Sequence, residues 1–171
     1  MYKTLTIGGK DYKLEYTIEA SLYGDCIEKL ITFISKTAGA TEVEKTPKGM
    51  TDEEIVQYKR GLMQNAINGI SNIPDTALTL FYAGLMEYHG EDGDRTILSK
   101  RDAKALLKTF FKEEEEKENG CTDFTALIAL CMEQMGEDDF FRKTGLEKVL
   151  APNMAGKNRA SRRAAAKASG K

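Results

Sequence analysis

The sequence is poor in the residues that most enzyme sites and ligand platforms use. Its 171 residues include no tryptophan, one histidine and three prolines, and aromatic residues make up 8%. A histidine-based triad or metal site would have to use His89 alone, and few rings are present for stacking on sugars or bases. Neither a P-loop nor a GxGxxG motif occurs. We therefore predict a protein that is not an enzyme and that holds no cofactor or metal.

Cysteines and long apolar runs are also scarce. Cys26, Cys121 and Cys131 are odd in number and lack metal-ligand spacing. The apolar neighbours of Cys26 and Cys131 predict buried free thiols in a reducing compartment. The longest apolar run, ALIALCM at 126–132, is too short to cross a bilayer, and no signal peptide is visible. We expect a cytoplasmic protein that does not enter a membrane.

Charge is divided unevenly along the chain. The last 16 residues, GKNRASRRAAAKASGK, carry six basic residues and no acid, whereas residues 1–154 carry a net charge of −8. We therefore expect a folded domain over 1–154 and a disordered basic tail over 155–171. In a helix, tail cations four residues apart would share one face. The candidate partner-binding residues are Lys157, Arg159, Arg162, Arg163 and Lys167.

The apolar pattern changes period after the first 17 residues. Alternating Leu5, Ile7, Leu14 and Tyr16 around Gly8-Gly9 predict a β-hairpin. Apolar residues every fourth position then predict one helix over about 18–36, with a buried stripe that includes Ile18, Leu22, Cys26 and Leu30. The hairpin and this stripe are expected to hold the fold, and the hairpin edge could also pair with a second copy.

Further helices are predicted downstream, with a mobile loop before them at 37–49. A Thr51–Glu54 capping box opens the next helix, whose stripe is Ile55, Tyr58, Leu62, Ala66 and Ile70. Pro74, Ser99 and Asp123 mark the starts of three more, and Gly90 marks a helix end. The helix over 123–135 is expected to be the most buried, and a short helix with Phe140, Phe141 and Leu146 closes the domain. The predicted fold class is mainly α with a small N-terminal β-hairpin, an α+β domain of five to six helices.

Two acidic stretches are candidate sites. HGEDGDRT at 89–96 lacks the calcium-loop pattern, so we interpret it as a solvated loop with His89 at the surface or near the helix dipole. The run Glu113–Glu116 lies at a helix C-terminus, where negative charge should fray the helix or find a cation. A docking point for a basic segment is its alternative role.

The opening stretch, MYKTLTIGGKDYKLEYTIEASLYGDCIEKL, resembles the start of the tail assembly chaperones of long-tailed bacteriophages. The basic NRASRRAAAK ending resembles their C-termini. The likeness covers about the first 36 and the last 16 residues. It implies a non-catalytic protein of the host cell cytoplasm, absent from the mature virion, that binds the tape measure protein and recruits major tail tube subunits. It also implies a longer product made by frameshifting near Gly170-Lys171.

A second function stays open at this point. The basic tail could anchor a small nucleic-acid-associated regulatory protein, because five or six cations give salt-sensitive and sequence-independent affinity. The tail contains no aromatic residue, and the −8 domain would repel phosphate, so an acidic protein surface fits the tail at least as well. A solubilising tail with no partner is a further alternative.

Overall fold

The N-terminal hairpin forms as predicted in a computed structural model, which describes residues 1–40, 49–118 and 120–149. Strands β1 (Lys3–Ile7) and β2 (Lys10–Leu14) pair antiparallel, with Leu5 opposite Tyr12. Gly8 and Gly9 both have positive φ, +60° and +73°, as a two-residue turn of this type requires. The apolar face of the hairpin is buried against the helices.

Residues 146–149 are helical up to the end of the described range, and seven further helices precede them. They are α1 (Ile18–Leu22), α2 (Cys26–Ala40), α3 (Asp52–Ser71), α4 (Ile73–His89), α5 (Lys100–Glu114), α6 (Phe124–Glu137) and α7 (Phe140–Lys143). Together with the hairpin they form the predicted mainly α domain of α+β class. The predicted boundary between the domain and the tail, at residues 154 and 155, lies beyond residue 149 and so outside the described residues.

The prediction of one helix over 18–36 is wrong, because the chain breaks after Leu22. Gly24 and Asp25 have φ of +51° and +62°, in the left-handed region that ends a helix. Helix α2 then continues to Ala40, four residues into the predicted loop. The part of that loop at 41–48 lies outside the described residues.

Helix α4 is the centre of the fold, so the prediction that the 123–135 helix is the most buried is also wrong. Ten of its 17 residues are buried, and it is packed against β2 and against five helices, α1, α2, α3, α5 and α6. Gly84 permits the closest approach: a Cβ there would lie 2.6 Å from Leu14 Cδ1 and 2.8 Å from Tyr16 Cζ. The ring of Phe81 stacks on Phe110 of α5 with centroids 6.3 Å apart.

The predicted helix starts are confirmed. Thr51 and Glu54 form the capping box, with the Thr51 amide donating to Glu54 Oε2 at 2.8 Å and the Glu54 amide to Thr51 Oγ1 at 3.4 Å. Ser99 and Asp123 accept first-turn amides of α5 and α6, and Pro74 lies in the first turn of α4. Gly90 caps α4 with φ of −80°, so it does not adopt the left-handed form.

The predicted core stripes are largely confirmed. Phe81, Leu85, Phe110 and Phe140 are buried. In α3, Ile55 and Tyr58 are half-buried, and the side chains of Leu62, Ala66 and Ile70 are outside the description.

Candidate functional site

Helix α1 is a short helix fixed at both ends. The Thr17 hydroxyl accepts the Glu19 amide at 3.1 Å and donates to Glu87 Oε2 at 2.7 Å. At the other end the Tyr23 amide donates to the Ala20 carbonyl at 3.4 Å. Ala20 is the one buried residue of this helix. A five-residue helix held by its caps and one small buried side chain leaves its larger side chains outside.

The apolar side chains of α1 face away from the core. Leu22 is 74% exposed and Ile18 is 61% exposed, although both belong to the stripe that the sequence predicts to be buried. The prediction that Leu22 holds the fold is therefore wrong, while Cys26 and Leu30 of the same stripe are buried as predicted. The cause is the break at Gly24-Asp25, which rotates α1 relative to α2.

The exposed side of α1 and the adjoining turns of α2 form an open groove of about 640 Å³, the α1–α2 groove. Its floor is apolar, because Ile27 and Ile31 are half-buried and pack on the core below. Leu22 projects over one end of it. The lining residues are Ser21, Leu22, Asp25, Ile27, Glu28, Ile31 and Thr32.

Two acidic residues, Asp25 and Glu28, line this groove. Glu19 of α1 is half-buried, and its hydrogen bond raises the pKa of Tyr23 together with burial, which is the larger cause. Lys29, the basic residue within α1 and the first turn of α2, pairs with Asp75 at 2.5 Å. We call Asp25 and Glu28 the acidic rim.

His89 is buried in the last turn of α4, so of its two predicted placements the one at the surface is wrong and the one at the helix C-terminus is confirmed. It is 6% exposed, and its Nε2 accepts the Lys13 backbone amide at 2.9 Å. The neutral ring therefore carries its proton on Nδ1 and donates it to Asp94 Oδ2, also at 2.9 Å. Both nitrogens make structural bonds between α4, the hairpin and the following loop, which leaves neither available for a substrate or a metal.

Residues 91–96 of the loop are exposed, as the solvated-loop interpretation predicts, whereas Gly90 is buried. Burial raises the pKa of Asp94, but hydrogen bonds from Thr96 and His89 outweigh it, and the net pKa is lowered. Glu91 and Asp92 lie on the surface. Among the described residues, no group of three or more His, Cys, Asp or Glu side chains is arranged to hold a metal ion.

The acidic run at the end of α5 is divided in its roles. Glu113 accepts the Gly8 amide through both oxygens, at 2.9 and 3.1 Å, and so attaches the hairpin turn to α5. Glu114 accepts the Cys121 amide at 2.9 Å. It also pairs with Lys117, so the negative charge at this helix end has found a cation, which is one of its two predicted outcomes. Glu115 and Glu116 are exposed. Two of the four carboxylates thus have structural partners and are not open to a docking segment.

Cys26 and Cys131 are buried free thiols, as predicted, and Cys121 is a half-buried free thiol. Burial raises the pKa of each of these two to about 12, and burial also raises that of the half-buried Cys121 to about 11. Thiolate chemistry at neutral pH has no support from these positions.

A buried carboxylate that the sequence did not reveal ties the two ends of the domain together. Asp138, 3% exposed, accepts the Tyr16 amide at 2.8 Å, the Met1 ammonium at 2.9 Å and Gln134 Nε2 at 2.9 Å. Glu15 accepts the same ammonium at 2.9 Å, and these bonds raise the pKa of that amine. The role of this group is structural, since all its acceptor positions face the chain's own donors.

The edge of β2 is covered as well. The Lys13 amide points away from β1 to His89, and the Glu15 amide donates to the Gly84 carbonyl at 2.9 Å. Pairing of a second copy along the hairpin would therefore have to use β1.

The five tail residues predicted to bind a partner, Lys157, Arg159, Arg162, Arg163 and Lys167, lie outside the described residues. Within the described ranges, no helix combines the length and the apolar character needed to span a bilayer. No protein-family model, no curated protein and no solved structure matches the chain.

Proposed function

We propose that this chain is a non-catalytic tail assembly chaperone of a long-tailed bacteriophage. It binds the tape measure protein and recruits major tail tube subunits in the host cytoplasm, and it leaves before the virion is complete. The proposal rests on the resemblance of the chain's opening and ending, together with one structural observation.

That observation is the exposed apolar surface of α1 beside the α1–α2 groove. Leu22 and Ile18 project from a domain whose core helices bury their apolar side chains. A partner helix lying in the groove would cover both, with a gross gain of about 1.5–3 kcal/mol for each side chain. The two side chains together, about 3–6 kcal/mol, correspond to about two to four decades of affinity, which suits a reversible contact. A chaperone that must later leave its client needs such a contact.

The nucleic-acid alternative gains no support from the described surface. The groove has an acidic rim, which repels phosphate. Self-association through β1 is compatible with the chaperone proposal and is part of it.

The test is capture of partners from nuclease-treated lysate of cells that express the neighbouring native genes. Tagged wild-type chain is compared with Leu22→Ser and with Leu98→Ser, a control in which another exposed leucine, 55% exposed, is changed away from the groove. Surface changes of this kind alter stability by about 0.5 kcal/mol or less.

We expect the wild-type chain and the Leu98→Ser control to recover a very long helical protein together with a tail tube subunit, identified by mass spectrometry. Leu22→Ser should lose both. If wild type recovers only nucleic acid before nuclease treatment and nothing after it, the chaperone proposal fails. Equal recovery by the two leucine variants would remove the α1–α2 groove from the proposal.

A further inference from the structure

We infer that the basic C-terminal segment of this chain, residues 157–167, docks in the α1–α2 groove of the same molecule and competes there with a partner. The docking stands on charge, spacing and reach, whereas the competition with a partner rests on the proposed function.

Charge complementarity is the first support. The groove is lined by the acidic rim of Asp25 and Glu28, and the nearby cation Lys29 is already paired with Asp75. The segment has five cations and no acid. Opposite charges that face each other across a partly apolar groove favour docking, and the attraction falls as salt is added.

The spacing of residues in the segment is the second support. Arg159, Arg163 and Lys167 recur every fourth residue, and Ala160, Ala164 and Ala168 recur in the same way one residue later. In a helix these residues form a basic stripe beside a stripe of small apolar side chains. Alanine allows close approach to a shallow groove into which Leu22 projects, and the cations then lie over the rim.

Reach is the third support. Phe140, which begins α7, packs on Tyr16 with ring centroids 5.7 Å apart, and Tyr16 lies two residues before the start of α1. Helix α7 therefore lies close to the residues that precede α1. As a flexible chain the eight residues from Val149 to Lys157 reach about 14–17 Å, and residues 157–167 measure about 16 Å as a helix. The groove-lining part of α2, from Ile27 to Thr32, measures about 9 Å, so the segment is long enough to lie along it.

The experiment compares backbone amide NMR spectra of three full-length, isotope-labelled proteins. They are wild type, the tail variant Arg159→Glu/Arg163→Glu/Lys167→Glu, and the control Lys104→Glu/Lys108→Glu/Lys112→Glu. The control changes three exposed lysines with the same four-residue spacing on α5, so both variants alter net charge equally. Amides of Leu22, Ile27 and Ile31 report on the groove.

We expect the tail variant to shift these groove amides and the control to leave them at their wild-type positions. High salt should move the wild-type amides toward the positions of the tail variant. The inference is overturned if the tail variant leaves the groove amides unmoved. It is also overturned if the wild-type positions change on tenfold dilution, because the groove would then be filled by the tail of a second copy.

The two proposals fail separately. Groove amides that respond to the tail variant, in a chain that captures no tail proteins, would refute the chaperone function and leave the docking intact. Capture of the long partner by a chain whose groove amides do not respond would refute the docking and leave the chaperone function intact. If the segment covers the groove about nine-tenths of the time, the tail variant should bind that partner about tenfold more tightly than wild type does.

Discussion

The buried carboxylate of Asp138 is the point at which a single atom replacement should cost the most stability. Asp138→Asn keeps the size of the side chain and one carbonyl acceptor but turns the other oxygen into an NH₂ donor. The native carboxylate receives donors on both oxygens, from Tyr16 on one side and from Met1 and Gln134 on the other. In either orientation the new amide group therefore faces a donor.

The magnitude follows from the burial of these groups. Leaving one buried donor without an acceptor costs about 1–3 kcal/mol, and we take about 2 kcal/mol for Asp138→Asn. In a chain of this length that corresponds to a fall in Tm of about 4–8 °C. Urea denaturation followed by far-UV circular dichroism measures the free energy of unfolding, and calorimetry measures the Tm.

Asp139→Asn is the matched control, since it makes the same chemical change one residue later. Asp139 is exposed, and its pair with Arg142 has both side chains mostly in solvent, so its loss should cost about 0–1 kcal/mol. Asparagine also tolerates the φ of +57° at this position. Equal losses for the two variants would refute the assignment of Asp138 as the buried tie.

The pH dependence gives a second readout. The pKa of the Met1 ammonium is raised from its usual 8.0, chiefly by hydrogen bonds to Glu15 and Asp138. A raised pKa means that the ammonium stabilises the fold fully below about pH 8 and that this contribution is lost as pH rises through the raised value. The stability gap between wild type and Asp138→Asn should therefore narrow in alkaline solution; a gap that widens there would contradict the pairing.

Three further outcomes test the packing, the thiols and the capping box. Gly84→Ala should lower the free energy of unfolding by about 1–3 kcal/mol because its methyl group would enter the α4–hairpin contact, whereas Gly136→Ala, with open space at that position, should not; equal unfolding midpoints would contradict the contact. Cys26 and Cys131 should react with a thiol reagent at pH 8 only after denaturation, and rapid labelling of the native chain would show that they are not buried. Thr51→Ala should speed amide hydrogen exchange in the first turn of α3 and cost about 1 kcal/mol; unchanged exchange there would contradict the cap.

Local sequence signals predicted the elements whose causes are local. The Gly8-Gly9 turn needs positive φ at both positions, and the caps at Thr51, Ser99 and Asp123 need only side chains a few residues from the amides they bind. The break between α1 and α2 was missed although its signal, Gly24-Asp25, is in the sequence. The four-residue apolar period runs straight through it and favours a continuous helix.

The sequence by itself determined the fold class, the hairpin, most helix starts and the burial of Cys26 and Cys131, because these depend on periodicity and on residues close in the chain. Only the tertiary structure decided which apolar residues stay outside. Leu22 and Leu30 share one sequence stripe, yet Leu22 is 74% exposed and Leu30 is buried, because two left-handed residues rotate α1 relative to α2. It also decided the partners of His89 and Asp138, which bond to residues 76 to 137 positions away. Contacts over such separations depend on how α4 and α6 pack against the hairpin, and the local pattern of apolar and polar residues does not specify that packing.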